Sequence, residues 1–258
     1  MKNLLVADFR RIFKGKGIYI LMGLAFVFPA LTALVMYLSG LVADLTEVGD
    51  LLIDFYNPLT FYSSSFNPTS NIGLVLLIVV TVVLSGEFTN NTIRNKIVAG
   101  HSKLNMFLSS LILVLTYVFV IMFIHSSSTY LFNSIIFGFG KSPFVEFLKR
   151  GLVAYSGVFV LYTALTLLTY HFKNLIGPLG IILGVYFVLM MVSTYMFVAN
   201  EGEGLKAKFL FYLFPFLYLG GTAAPKNVEW LWATLTNISY LVVLPAFGLV
   251  LAKRTDYK

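Results

Sequence analysis

Leu104-Asn105-Met106-Phe107-Leu108-Ser109-Ser110-Leu111-Ile112-Leu113-Val114-Leu115-Thr116-Tyr117-Val118-Phe119-Val120-Ile121-Met122-Phe123-Ile124-His125 runs for 22 residues without one Asp, Glu, Lys or Arg. About 20 such residues, rising 1.5 Å each, cross the roughly 30 Å hydrocarbon layer of a bilayer. Runs of the same kind recur on both sides. Before it lie Ile18 to Ser39 and Asn71 to Gly86; after it come Gly151 to Tyr170, Leu175 to Val198 and Leu231 to Ala252. The second run is short and is expected to borrow residues from Pro68 to Ser70. Whole-chain composition agrees: 59% of residues are hydrophobic, 11% are charged and the mean hydropathy is +0.88, against about 25% charged in a soluble domain. The bilayer is the solvent for most of this chain.

The expected fold is all-α integral membrane, one transmembrane domain over residues 1–258 with six transmembrane helices. An N-terminal interfacial helix occupies 1–17, the six-span bundle 18–252 and a basic tail 253–258. In the first segment Leu5, Phe9, Ile12 and Phe13 share a helical face while Arg10, Arg11 and Lys14 point elsewhere, the pattern of a helix lying on a membrane surface. The apolar run that follows is too long for the core of a cleaved signal. Phe209 to Leu219 is apolar but about 11 residues long and interrupted by Pro215, which suits a re-entrant helical segment before the last span. Phe214, Pro215 and Phe216 are therefore expected to form an outer gate, since a short broken helix can shift without dismantling a span.

Basic residues orient the bundle. With the N-terminus inside, twelve Lys and Arg fall in inner segments and six in outer ones, so both termini are expected in the cytoplasm. The first outer loop carries Asp44, Glu47, Asp50 and Asp54 without a basic residue. The net charge of +7 thus reads as a topology signal and not as a nucleic-acid surface.

Enzymatic chemistry finds little footing. The chain has no cysteine and only three scattered histidines, so no metal site is expected. Gly138-Phe139-Gly140-Lys141-Ser142 ends like a phosphate loop, yet the position that needs the first glycine is Ile135. No catalytic constellation is present, and no catalytic residue or cofactor is assigned to this chain. His125, beside Ser126, Ser127, Ser128 and Thr129, is expected at a water-solvated helix end. The spans lack the buried charges that ion-coupled carriers commonly use, so the energy source is expected on another chain.

The loop joining the second and third spans carries the sharpest signal: Gly86-Glu87-Phe88-Thr89-Asn90-Asn91-Thr92-Ile93-Arg94-Asn95-Lys96-Ile97-Val98-Ala99-Gly100-His101-Ser102-Lys103. Asn91 can start, and Gly100 can end, two helical turns from Thr92 to Ala99. Glu87 followed by Thr-Ile-Arg-Asn, an apolar pair and Gly-His-Ser-Lys resembles the ABC transporter permeases of the type-two class. Within that class it looks like bacterial bacitracin, lantibiotic and antimicrobial-peptide export permeases. The layout of the whole chain is similar too, although family members often have a lysine near the start of the third span, where this chain reads Phe107-Leu108-Ser109-Ser110.

The resemblance implies that this loop is a coupling helix docking on an ABC ATPase subunit. Thr92, Ile93, Arg94, Asn95 and Lys96 would form the contact, and Glu87 would brace it by pairing with Arg94 or capping an amide. Lys173, in the tight turn after the fourth span, would add a second contact. It further implies a bacterial plasma-membrane exporter built from two permease chains, a homodimer on the simplest reading, with two ATPase subunits that bind ATP and Mg. The expected cargo is a hydrophobic or amphipathic peptide, with drugs, lipids or ions as the alternative, and an ATP-independent carrier or channel as the reading from another class. Membrane lipid is an expected partner and nucleic acid is not.

Overall fold

The computed structural model describes residues 1–44, 58–69, 71–138, 144–199, 213 and 230–254. Nine helices account for nearly all of them: α1 (Lys2–Phe13), α2 (Lys16–Asp44), α3 (Pro58–Ser64), α4 (Asn71–Thr89), α5 (Thr92–Val98), α6 (Lys103–Phe137), α7 (Phe144–Phe172), α8 (Ile176–Ala199) and α9 (Trp230–Arg254). No strand occurs among the described residues. The expected outer gate, Phe214 to Phe216, lies outside them.

α6 is the axis of the bundle. It packs against every other described helix except α8. Its 35 residues rise about 52 Å, more than the hydrocarbon layer needs, so the run read from Leu104 to His125 is only its first two-thirds. The helix starts where Ser102 Oγ accepts the Asn105 N–H at 3.2 Å, an N-cap of the usual kind. It ends at Gly138, whose φ of +98° a side chain would resist.

Five described helices are long and apolar enough to cross a membrane: α2, α4, α6, α7 and α9. α8 adds a shorter apolar stretch, Ile176–Val192. α8 begins just after Tyr170, which lies in one apolar cluster with Ile93 of α5, whereas α9 begins at Trp230, whose ring lies 5.8 Å from Lys149 Nζ near the opposite end of α7. α8 and α9 therefore begin at opposite ends of the bundle. Tyr186 of α8, buried, donates to Asn67 Oδ1 at 3.4 Å ahead of α4. Leu4 of α1 and Ala252 of α9 join the same cluster as Ile93, so both ends of the described chain lie at one end of the bundle, as an even number of crossings requires.

α4 departs from the expected second span. It does not take in Pro68 or Thr69, which lie in a turn, but extends the other way, to Thr89, carrying Glu87 inside the helix. A carboxylate can stay there only because cations meet it, as described below.

Packing at α9 depends on a missing side chain. A Cβ on Gly248 would stand 2.3 Å from Phe107 Cζ, so the Phe107 ring of α6 occupies the notch left by that glycine. Phe107 in turn lies edge-on to Tyr170, with centroids 5.2 Å apart, which joins α6, α7 and α9 at the α5 end.

Candidate functional site: a buried ion cluster beneath the loop helix

α5 is two turns long, begins after Asn91 in the left-handed region (φ +55°) and ends before Gly100 (φ +83°). Asn91 caps it by position alone, without a side-chain hydrogen bond. One face of α5 is anchored: Ile93 is buried in a cluster with Leu4, Met106, Phe107 and Leu111. The other face, with exposed Arg94 and Asn95 and with Val98 at 81% exposure, points away from the protein.

Lys96 corrects the sequence reading, which set it beside Arg94 as an outward contact. It is 9% exposed and turned inward. Its Nζ lies 2.9 Å from Asp8 Oδ1 and 3.1 Å from Asp8 Oδ2, and 3.2 Å from Glu87 Oε2. Three residues after Ile93, on a two-turn helix, a side chain falls on the same face as Ile93, and two buried carboxylates hold it there. Glu87 does not pair with Arg94 either. Its second cation is Arg11, whose Nη2 donates to Glu87 Oε1 and lies 3.9 Å from Asp8 Oδ1.

Hydroxyls complete the network. Ser109 Oγ donates to Asp8 Oδ2 at 2.8 Å, and Ser110 Oγ donates to Glu87 Oε2 at 3.4 Å. The Tyr170 hydroxyl lies 2.7 Å from Ser110 Oγ, so α7 is tied in as well. Both serines thus give hydrogen bonds to the cluster from the start of α6. Two carboxylates, one ammonium and one guanidinium sum to zero charge, which makes the burial tolerable, and each carboxylate has at least two donors. Five helices thus meet at one knot: α1 through Asp8 and Arg11, α4 through Glu87, α5 through Lys96, α6 through the two serines and α7 through Tyr170.

α1 is accordingly more than a surface helix. Leu4 and Asp8 face inward, Arg11 sits at the rim, and Arg10 and Lys14 are exposed. Lys173 takes φ +55° in the turn after α7, three residues past Tyr170, at the same end as α5. Asp8 and Tyr170 escaped the sequence reading, and the available signal for Asp8 was a single acid among the five basic residues of the first 17.

His125 is also corrected. It lies within α6, buried, with Nδ1 3.2 Å from the Ala25 carbonyl of α2. Ala25 is four residues before Pro29, which sits inside α2 and has no N–H to give that carbonyl. A carbonyl only accepts, so Nδ1 carries the proton and His125 supplies the bond the proline cannot. Among the described residues no group of His, Asp and Glu is arranged to hold a metal ion.

The chain is a multi-pass α-helical bundle whose loop helix is bound to its N-terminal helix. Residues 4–193 match the family described as ABC-2 family transporter protein, and the chain belongs to that family. It is therefore an ABC permease subunit, and membership implies an ABC ATPase partner. No curated protein and no solved structure matches it.

Proposed function

We propose that this chain is the transmembrane permease of an ATP-driven exporter, in which α5 is the coupling helix and the buried ion cluster passes its movement into the bundle. One observation carries the reading: α5 presents an uncovered face of Arg94, Asn95 and Val98 while Lys96 ties its other face to α1 and α4. A helix packed on both sides could not receive a partner, and one without an anchor could not transmit a push. The hydrolytic site belongs to a separate ABC ATPase that binds ATP and Mg. Two ATPases and two permease chains, most simply two copies of this one, form the working unit, and Lys173 adds a contact beside α5. The chain sits in a bacterial plasma membrane with both termini in the cytoplasm.

Hydrophobic or amphipathic peptides suit it as cargo because the membrane-facing surface is apolar and rich in aromatic side chains, and such molecules concentrate in the bilayer. The test is a pair of measurements. Arg94→Glu with Val98→Asp should insert normally and lose co-purification with the ATPase; full co-purification would remove the coupling assignment. In vesicles holding both subunits, amphipathic helical peptides should stimulate hydrolysis and free sugars should not. The reverse pattern would remove the peptide assignment alone.

A further inference from the structure

We infer that the groove between α2 and α4, closed at one end by α1, holds an anionic phospholipid of the leaflet on the α5 side. The groove has a volume of about 560 Å³ and grades from apolar to polar along its length. Its walls are Leu21 and Leu24 of α2 and Val75 and Val79 of α4, and its polar end is made by Arg11, Glu87, Asn90 and Thr92. From Val75 to Gly86 the α4 wall alone runs about 16 Å, parallel to the direction in which acyl chains lie. The flanking Ile20, Ile78 and Val82 are exposed, so in a bilayer the slot opens sideways into lipid. Water does not fill an apolar slot at that depth, and an acyl chain does.

Charge selects the headgroup. The Glu87 carboxylate is already met by Lys96 and Arg11, which leaves the ion cluster neutral. Lys14 and Lys16 are exposed and adjoin in sequence Gly15 and Gly17, which line the groove's polar end, and Arg11, which also lines it, keeps 42% of its side chain accessible. The local excess is positive, as expected of a surface for a phosphate-bearing anionic headgroup, and a cationic peptide would be repelled from it. Gly15, Gly17 and Gly86 line this end, and a Cβ on Gly17 would meet nothing within 4 Å. The space is left by the absence of side chains. This inference needs the membrane setting but not the ATPase partner, so it stands apart from the proposed function.

Gly17 also supplies the test. Full-length protein in detergent is titrated with phosphatidylglycerol and with phosphatidylcholine, and bound lipid and oligomeric state are read by native mass spectrometry. The first phosphatidylglycerol should bind about tenfold tighter than phosphatidylcholine. Gly17→Leu should lower phosphatidylglycerol affinity about tenfold, while Gly23→Leu, equally open in space but away from the groove, should not. Replacing Lys14 and Lys16 with Gln should remove the preference between the two lipids. Wild-type phosphatidylglycerol binding by Gly17→Leu, or equal affinity of the native protein for both lipids, would overturn the assignment. Loss of a dimer in Gly17→Leu with lipid binding retained would give the groove to a second copy of the chain and overturn it as well.

Discussion

Lys96 Nζ stands 2.9 Å from Asp8 Oδ1, joining the loop helix to the N-terminal helix across 88 residues of sequence. Both side chains are nearly buried, so the pair has left water and depends on its neighbours for compensation. Lys96→Met should cost about 3–5 kcal/mol, because Asp8 and Glu87 would then face each other with Arg11 alone. Asp8→Asn with Lys96→Met should recover most of that loss, since a neutral pair leaves no unmatched charge. Thermal unfolding of the purified variants checks both. A single-variant loss below about 1 kcal/mol, the scale of an exposed pair, would mean that the cluster is wetted and does not act as a closed network.

Gly248 gives a second test, of packing rather than charge. Its missing Cβ is the seat of the Phe107 ring, and a buried ring has little room to retreat. Gly248→Ala should cost about 1–3 kcal/mol, the usual range for overpacking, although alanine favours the helix in isolation. Phe107→Leu in the Gly248→Ala background should restore part of the loss, and the coupling between the two sites is the quantity to measure. Independent, additive effects would contradict the contact.

Much of the fold was legible because membrane spans announce themselves locally. The absence of charge over some 20 residues needs no knowledge of partners; α2, α6, α7 and α9 each contain the run read for them, and α8 contains all of its run but Leu175. Glu87 shows where that reasoning stops. The apolar run ends before it at Gly86, but α4 continues to Thr89 because Lys96 and Arg11 come from other helices to meet it. The same limit hid Lys96. Its spacing from Arg94 placed it on α5 correctly, yet which face turns inward depends on Asp8, 88 residues away. His125 shows a related limit: Ser and Thr can return their hydroxyls to the preceding turn, as Thr129 Oγ1 does to the His125 carbonyl at 2.8 Å, so the helix goes on where a water-solvated end is expected.

Topology can be read from two exposed apolar positions at opposite ends of the bundle. The chain has no cysteine, so Val98→Cys on α5 and Phe144→Cys at the start of α7 are unique labels, both at solvent-accessible positions. An impermeant thiol reagent should label Phe144→Cys in intact cells and Val98→Cys only after permeabilisation. Labelling of both from outside would break the even-crossing arrangement, and the reverse pattern would invert the orientation.

The contact between His125 and Ala25 makes the last prediction, because its cause lies in a third residue. In an unbroken α-helix the Ala25 carbonyl would accept from the N–H four residues on, and Pro29 has none. A buried carbonyl left unpaired costs about 1–3 kcal/mol, and more where no water can reach it. His125 Nδ1–H fills that vacancy from α6, which pins α2 to the axis of the bundle. His125→Leu should therefore destabilise the protein by about that amount, mainly by orphaning the carbonyl. Pro29→Ala alone should have a smaller effect, since it closes the helix but leaves the imidazole to compete for the same oxygen. The decisive variant combines them. With Pro29→Ala in place, the new alanine supplies the missing N–H and the histidine is no longer needed, so His125→Leu should cost much less than it does in the native background. Thermal unfolding of the four proteins closes the cycle. If His125→Leu costs the same with and without the proline, the histidine packs for its shape alone and the carbonyl has no part in holding it.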